Sequence, residues 1–261
     1  MRLHLVDGTY ELFRAHFSKR PEQRTPAGRD AKATIGLAFS LLFLLEDERE
    51  QVTHLAVAFD NPIRSFRNDL FAGYKTEAGV PPELLEQFDL AERMTRALGI
   101  TVWSMDRWEA DDALATGAAR FRHEVDEVRI LSPDKDLGQC LKYPNVIQVD
   151  RMRSKVIDRA ALRAVRGIEP ESVPDFLALV GDDADGIPGV PGIGEKTAAA
   201  LLRRYKTIEG IPPLAASWEP QVRGAEKVAR ELAAHQADAA LYKHLATLVE
   251  DVPLREGLGD L

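Results

Sequence analysis

The sequence is poor in cysteine. Among 261 residues there is only Cys140, which excludes an internal disulfide and fits a reducing compartment. It lies in Leu137-Gly138-Gln139-Cys140-Leu141, a setting that suits a buried structural thiol better than a nucleophile. Long apolar runs are missing too. The longest, Thr34 to Leu45, is too short to span a bilayer and reads as a core helix. Met1-Arg2-Leu3-His4-Leu5-Val6-Asp7 reaches an acid before a signal-like apolar stretch could form, so it reads as a strand. A cytoplasmic protein with no membrane partner, a monomer, is expected. There is no repeat and no low-complexity tract. An excess of positive charge is also absent. The net charge of −8 runs against the basic balance usual in phosphate binders, unless the acids are concentrated at one site.

What is present is a patterned chain with 45% apolar residues, enough for a core. Leu3–Val6, Val52–Phe59, Ile100–Trp103 and Glu127–Leu131 read as strands. Val146–Val149 and Ser154–Ile157 read as a terminal strand pair. Helices are predicted over Thr9–Phe17, with Thr9 as a possible cap, and over Ala31–Leu45, Pro81–Leu98 and Glu109–Phe121. Ser18–Asp30 reads as an exposed loop. After Asp158 the strand signals stop. The pattern predicts an α/β fold with a central, mostly parallel sheet over residues 1–158, then a helical region over 159–261.

The acids fall where such a fold binds ligands, beyond the C-terminal ends of its strands. Asp7 follows the first strand, Asp60 the second, and Asp134 and Asp136 the Glu127–Leu131 strand. Glu109, Asp111 and Asp112 open a helix. Taken singly, each has an ordinary reading as a turn residue or helix cap. Converging at one edge, they would repel one another unless a cation were present. A two-metal site meets that cost and suits in-line phosphoryl chemistry. Setting aside these seven together with Asp182 and Asp185, nine acids in all, leaves the rest of the chain near neutral, so net charge does not exclude a nucleic acid.

The stretch Asp182 to Thr197 joins two chemistries. Asp182 and Asp185 stand three apart and suit a hard cation such as magnesium. Gly189-Val190-Pro191-Gly192-Ile193-Gly194 then leads into a helix carrying Lys196 and Thr197, which suits a phosphate. Together they suggest a protein that holds a phosphate backbone and cuts it with metal.

These motifs resemble the flap endonuclease and 5'→3' exonuclease family, whose module also stands at the N-terminus of many bacterial DNA polymerases I. The resemblance rests on Leu5-Val6-Asp7-Gly8, Phe59-Asp60 with Ser65-Phe66-Arg67, Tyr74-Lys75, Glu109-Ala110-Asp111-Asp112, Asp134-Lys135-Asp136 and, above all, the Gly-Asp-x-x-Asp-x-Ile-Pro-Gly-Val-x-Gly-Ile-Gly pattern from Gly181. It continues through Leu245-Ala246-Thr247-Leu248 and Asp251-Val252-Pro253-Leu254. With no polymerase region after Leu261 in this sequence, the chain is expected to stand alone, with a fragment of a longer protein as the alternative.

The resemblance implies a PIN-like nuclease domain and a helix-two-turn-helix (helix-hairpin-helix type 2) unit around 174–206. It implies one magnesium held mainly by Asp7, Asp60, Glu109 and Asp111, and a second by Asp112, Asp134, Asp136, Asp182 and Asp185, with manganese as a substitute. The implied reaction is hydrolysis of DNA near 5' flaps, ends or single-strand/duplex junctions, in replication and repair. Lys75 and Arg67 become the electrostatic partners of the scissile phosphate. Tyr10 and Phe66 could stack on unpaired bases, or Phe66 could simply pack. Arg14 contacts phosphate or pairs with a site acid. Arg64 and Tyr74 belong to the DNA-contacting segment, and residues 61–84 to an arch or clamp. Gly192, Ile193, Gly194, Glu195, Lys196 and Thr197 would grip the duplex backbone, with Arg203, Arg204 and Lys206 extending the patch. Potassium would sit on the carbonyls of Leu179, Val180, Pro188, Val190 and Ile193. The sequence departs from relatives at Thr76-Glu77-Ala78-Gly79, where another Arg is common, at Ser132-Pro133 in place of Thr-Gly, and at Gly186 in place of Asn. Two rivals remain: a nuclease-like scaffold that binds branched DNA without cutting, and a PIN-type ribonuclease, which would not need the phosphate-binding turn.

Overall fold

A computed structural model describes all 261 residues. In chain order the elements are β1 (Arg2–Asp7), α1 (Gly8–His16), α2 (Lys32–Glu46), β2 (His54–Asp60), α3 (Arg67–Leu70), α4 (Pro82–Leu85), α5 (Phe88–Ala97), β3 (Thr101–Met105), α6 (Ala110–Phe121), β4 (Glu127–Leu131), β5 (Val146–Asp150) and β6 (Lys155–Ile157). Then come α7 (Arg159–Arg166), α8 (Val173–Val180), α9 (Glu195–Tyr205), α10 (Ala225–Ala234) and α11 (Gln236–Ala246). The strands form one sheet in the order β3-β2-β1-β4-β5-β6. All neighbours are parallel except β6, which pairs antiparallel with β5.

Period-two alternation sends β1 and β2 side chains to two separate cores. Leu3, Leu5, Ala56 and Ala58 face α6 and the returning C-terminal segment around Val252. Val6, Leu55, Val57 and Phe59 face α1, α2 and α5 through Leu12, Leu37, Leu41 and Phe88. A third core joins the helices of the second half and takes in Tyr74 and Leu141 from the first. Because β1 lies between β2 and β4, chain order reverses beside it, and a crevice opens at the C-terminal ends of those strands. No helix is long and apolar enough to cross a membrane.

Two local expectations are corrected. Asp7, not Thr9, caps α1, accepting from the Tyr10 N–H at 2.8 Å; the Thr9 hydroxyl instead accepts from Asp60 N–H at 2.8 Å. The helix predicted over Pro81–Leu98 is two helices, α4 and α5. Residues 61–84, the expected arch or clamp, hold the short α3 and the start of α4. The segment is anchored at Arg67 and Tyr74, which are buried, and at the Lys75 N–H, which donates to Asp185 O at 3.0 Å.

Candidate metal centre and nucleic-acid interface

The crevice is built from strand ends and loop turns of both halves. Asp7 ends β1; besides capping α1 it accepts from Ser132 Oγ at 2.9 Å, a bond across the reversal between β1 and β4. Asp60 ends β2 and accepts from the Ala110 N–H at 2.7 Å, which ties it to the start of α6. Glu109 precedes α6. Its Oε1 accepts from Ser65 Oγ at 2.7 Å and its Oε2 pairs with Lys75 Nζ at 2.8 Å. Asp134 Oδ1 accepts from the Asp136 N–H at 2.9 Å, the bond that shapes the turn after β4.

The second half supplies Asp182 and Asp185. Asp182 and Ile187 exchange backbone hydrogen bonds of 2.7 and 2.8 Å, closing a tight acidic loop. Lys135 Nζ reaches Asp182 Oδ1 at 2.8 Å. Lys75 Nζ reaches Asp185 Oδ1 at 2.9 Å, and the Tyr74 hydroxyl lies 3.2 Å from Glu109 Oε2 and 3.3 Å from Asp185 Oδ2. Carboxylate oxygens of Asp136, Asp182 and Asp185 all lie within 4.8 Å of one another.

Charge is crowded here. Burial, with the charges of Asp60 and Asp134 beside it, pushes the Asp7 carboxyl up to about 7. Burial and neighbouring carboxylates push Asp111 and Asp136 well above the usual range and raise Asp60 and Asp134. Glu109 goes the other way: burial opposes ionisation, but Lys75 and Arg67 hold it at about 2. Burial opposes the Lys75 charge, but Glu109, Tyr74, Asp185 and Asp60 hold its ammonium protonated. Two buried carboxylate oxygens, Asp111 Oδ1 and Asp136 Oδ1, have no hydrogen-bond partner in the protein. An all-oxygen donor set with repelling charges and orphaned oxygens fits hard divalent cations.

Eight of the nine expected acids share this crevice. The exception is Asp112. It is fully buried, and Arg67 grips it with two hydrogen bonds of 2.7 and 2.8 Å. Its two oxygens also accept from the N–H groups of Glu109 and Val249 at 2.9 Å. Each oxygen accepts two hydrogen bonds, unlike those of the crevice acids, so Asp112 is corrected from metal ligand to the buried anchor of α6. Arg67 is corrected with it. Its side chain is 1% exposed, and it further donates to the carbonyls of Leu245 and Thr247 at 2.7 and 3.0 Å. Tyr74 is likewise corrected: it is buried and bonds site acids, so it is not a surface for DNA.

The other expected contacts divide. Tyr10 is half-buried at the start of α1. Arg14 bonds Glu11, Ser40 and Met152 and pairs with no site acid. Arg64 is exposed and pairs with Asp69 at 2.9 Å. Phe66 is half-buried with the Arg67 guanidinium 4.7 Å from its ring centre. Gly192, Gly194, Glu195 and Lys196 are exposed at the start of α9, Thr197 is half-buried and Ile193 buried. Arg203 and Lys206 are exposed, and Arg204 pairs with Glu219. In the preceding turn, Leu179 O accepts from the Val190 N–H at 2.9 Å and Val190 O from the Ile193 N–H at 3.1 Å. Val180 and Pro188 meet across Gly181 and Gly189, where a side-chain carbon would lie 2.7 to 2.8 Å from their carbonyl oxygens. Sequence reasoning missed Ser65, Ser132 as a bond to Asp7, and Lys135. Only Lys135 carried a signal, a cation set between two candidate ligands.

An acid-lined crevice at the C-terminal edge of a mostly parallel sheet, closed by acids from a helical second half, defines a PIN-like α/β domain joined to a helical one. The chain belongs to the 5'-3' exonuclease family: its N-terminal resolvase-like domain matches residues 2–167 and its C-terminal SAM fold residues 168–261. The chain is 38% identical over 266 residues to DNA polymerase I of Bacillus caldotenax, covering 100% of this chain and 29% of that protein. It thus spans less than a third of that relative's length. It is 32% identical over 261 residues to a 5'-3' exonuclease of Aquifex aeolicus, covering 99% of this chain and 86% of that protein. In fold it is similar to the bacteriophage T5 flap endonuclease solved as a pseudo-enzyme-product complex with DNA and metal ions, with a TM-score of 0.70, 21% identity and coverage of 94% and 89% of the two chains.

Proposed function

We propose that this chain is a structure-specific, divalent-metal-dependent 5'→3' exonuclease and flap endonuclease. It hydrolyses DNA phosphodiesters near 5' ends, leaves 5'-phosphates and serves DNA replication and repair. The observation that carries this reading is the convergence of acids from both halves on one crevice, with Asp111 Oδ1 and Asp136 Oδ1 left without protein partners. Asp7, Asp60, Glu109 and Asp111 would hold one magnesium, and Asp134, Asp136, Asp182 and Asp185 a second, with manganese as a substitute. Bound ions would supply charge stabilisation at the phosphoryl group and water acidified toward hydroxide.

The chain's own side chains orient and bind. Ser132 and the Tyr10 N–H fix both oxygens of Asp7. The Ala110 N–H fixes Asp60. Lys75 remains charged at the crevice and is the cation that can turn to a substrate phosphate. Arg67 holds Asp112 and so fixes the start of α6, from which Glu109 and Asp111 project. Tyr10 is the candidate stacking partner for an unpaired base, and Arg64 an outer phosphate contact. The backbone at Gly192, Ile193 and Gly194, with Lys196 and Thr197, would grip the duplex. The carbonyls of Leu179, Val180, Pro188, Val190 and Ile193 are the proposed potassium ligands.

The test is incubation with a 5'-flap DNA, its RNA counterpart and a linear duplex, in magnesium or EDTA. Magnesium-dependent release of a flap, leaving a 5'-phosphate on the product, is expected. No cleavage of any DNA would sink the reading, and cleavage of RNA alone would favour a ribonuclease.

A further inference from the structure

A second concavity, of about 430 Å³, lies between the acid crevice and the start of α9. Three cations from three elements line it: Lys135 from the turn after β4, Arg166 from the last turn of α7, and Lys196 from the first turn of α9. Glu195 is the one acid in its wall, and Val165 and Phe176 supply apolar surface. Lys135 is the same side chain that reaches Asp182 at 2.8 Å, so the cavity opens directly beside the metal ligands. Arg166 is half-buried in the cavity wall, makes no ion pair, and its Nη1 is buried with no hydrogen-bond partner in the protein. A guanidinium stays charged at any physiological pH. An anion seated against the accessible part of the guanidinium would supply the counter-charge the protein does not.

We propose that this cavity seats one phosphate of the DNA strand running from the acid crevice to the α9 turn, with Arg166 as its principal contact. The proposal rests on the nuclease reading above. The planar fork of an arginine matches two phosphate oxygens at once, while Lys135 and Lys196 flank it as point charges. The cavity exceeds a phosphate in size and leaves room for the attached sugar against Val165 and Phe176. A phosphate held here fixes the strand between the place where it is cut and the place where the duplex is gripped.

The experiment measures binding of a fluorescent 5'-flap duplex in EDTA, where cutting is off, across a range of salt. Arg166→Ala is expected to weaken binding roughly tenfold, as for a lost charge-assisted contact, and to reduce the slope of log K against log salt by about one. Neutral methylphosphonate linkages placed one at a time complete the test. One linkage near the junction should weaken the wild-type complex by a similar factor and have no further effect in Arg166→Ala. Arg230→Ala, on the exposed face of α10, should leave affinity and slope unchanged. If Arg166→Ala does not fold by circular dichroism, Arg166→Gln replaces it, removing the charge while keeping most of the side chain. Unchanged affinity and slope, or no linkage whose effect disappears with Arg166, would overturn the proposal while the wild type still binds and cuts. A wild type that neither binds nor cuts flap DNA overturns the nuclease reading and this one together.

Discussion

Arg67 and Lys75 are eight positions apart in one irregular segment, and the fold gives them opposite tasks. All of Arg67's hydrogen bonds end inside the protein, on Asp112 and on the carbonyls of Leu245 and Thr247. Lys75 is more open, with its side chain 28% exposed and its ammonium between Glu109 and Asp185. Removing one partner of a buried pair leaves the other charge uncompensated, at a cost of about 3–5 kcal/mol. Arg67→Ala should therefore lose stability on that scale in urea denaturation. A loss below about 1 kcal/mol would contradict the buried anchor. Asp182 makes the complementary case. It touches Lys135 and the Ala184 N–H and lies beside Asp136 and Asp185. Asp182→Ala should abolish or greatly slow cutting in magnesium while flap-DNA binding persists in EDTA; full retained activity would remove Asp182 from the metal site.

At the scale of elements, the acidic loop between α8 and α9 is shaped by what packs on it. Gly186 has φ +73°, and a side-chain carbon there would lie 2.2 Å from Gly73 O. The turn carrying Tyr74 and Lys75 rests directly on that glycine. Glycine suits this position on two counts: an asparagine would tolerate the positive φ, but its Cβ would meet the same carbonyl. Gly186→Ala should cost about 1–3 kcal/mol from backbone strain alone, read as a lowered Tm. It should also weaken magnesium binding, because the Lys75 N–H to Asp185 O bond lies in the same contact. An unchanged Tm would show that the Gly73 turn can move away freely. The strands, α6 and the strand-end acids were legible from local pattern, since alternation and a helix start are short-range properties. The anchoring of residues 61–84 to the body was not. Its irregular sequence has no period, and its position follows from Arg67 and Tyr74 finding buried partners far along the chain.

At the scale of the whole molecule, the crevice sets a conflict between folding and charge. Asp7 has an ordinary pKa of 3.8 when unfolded and about 7 when folded; Asp60, Asp111, Asp134 and Asp136 are raised in the same direction. For these acids the folded state holds protons that the unfolded state releases, so metal-free stability falls as pH rises from about 4 to about 7. Buried His4, whose pKa is lowered, gives the opposite slope below pH 6.5, but it is one group against five. Glu109, held at about 2, changes stability only in stronger acid. In EDTA the Tm should fall between pH 5 and pH 7.5. Magnesium should raise it, and by more at the higher pH, because cations bind the ionised carboxylates. A metal-free Tm that rises over this interval, with no response to magnesium, would contradict the crowded-charge account.

The sequence alone determined the α/β order, the helical second half and the set of acids at strand ends and at Asp182 and Asp185. Each depends on residue type and spacing within a few positions. The tertiary structure decided which charges face the crevice and which are sealed away. Asp111 and Asp112 are adjacent on α6, yet one carries an unpartnered oxygen among the site acids and the other is closed by Arg67 and the Val249 N–H. Successive helical residues point about 100° apart, so neighbours in sequence meet different surroundings, and those that close Asp112 come from chain segments 45 and 137 residues away.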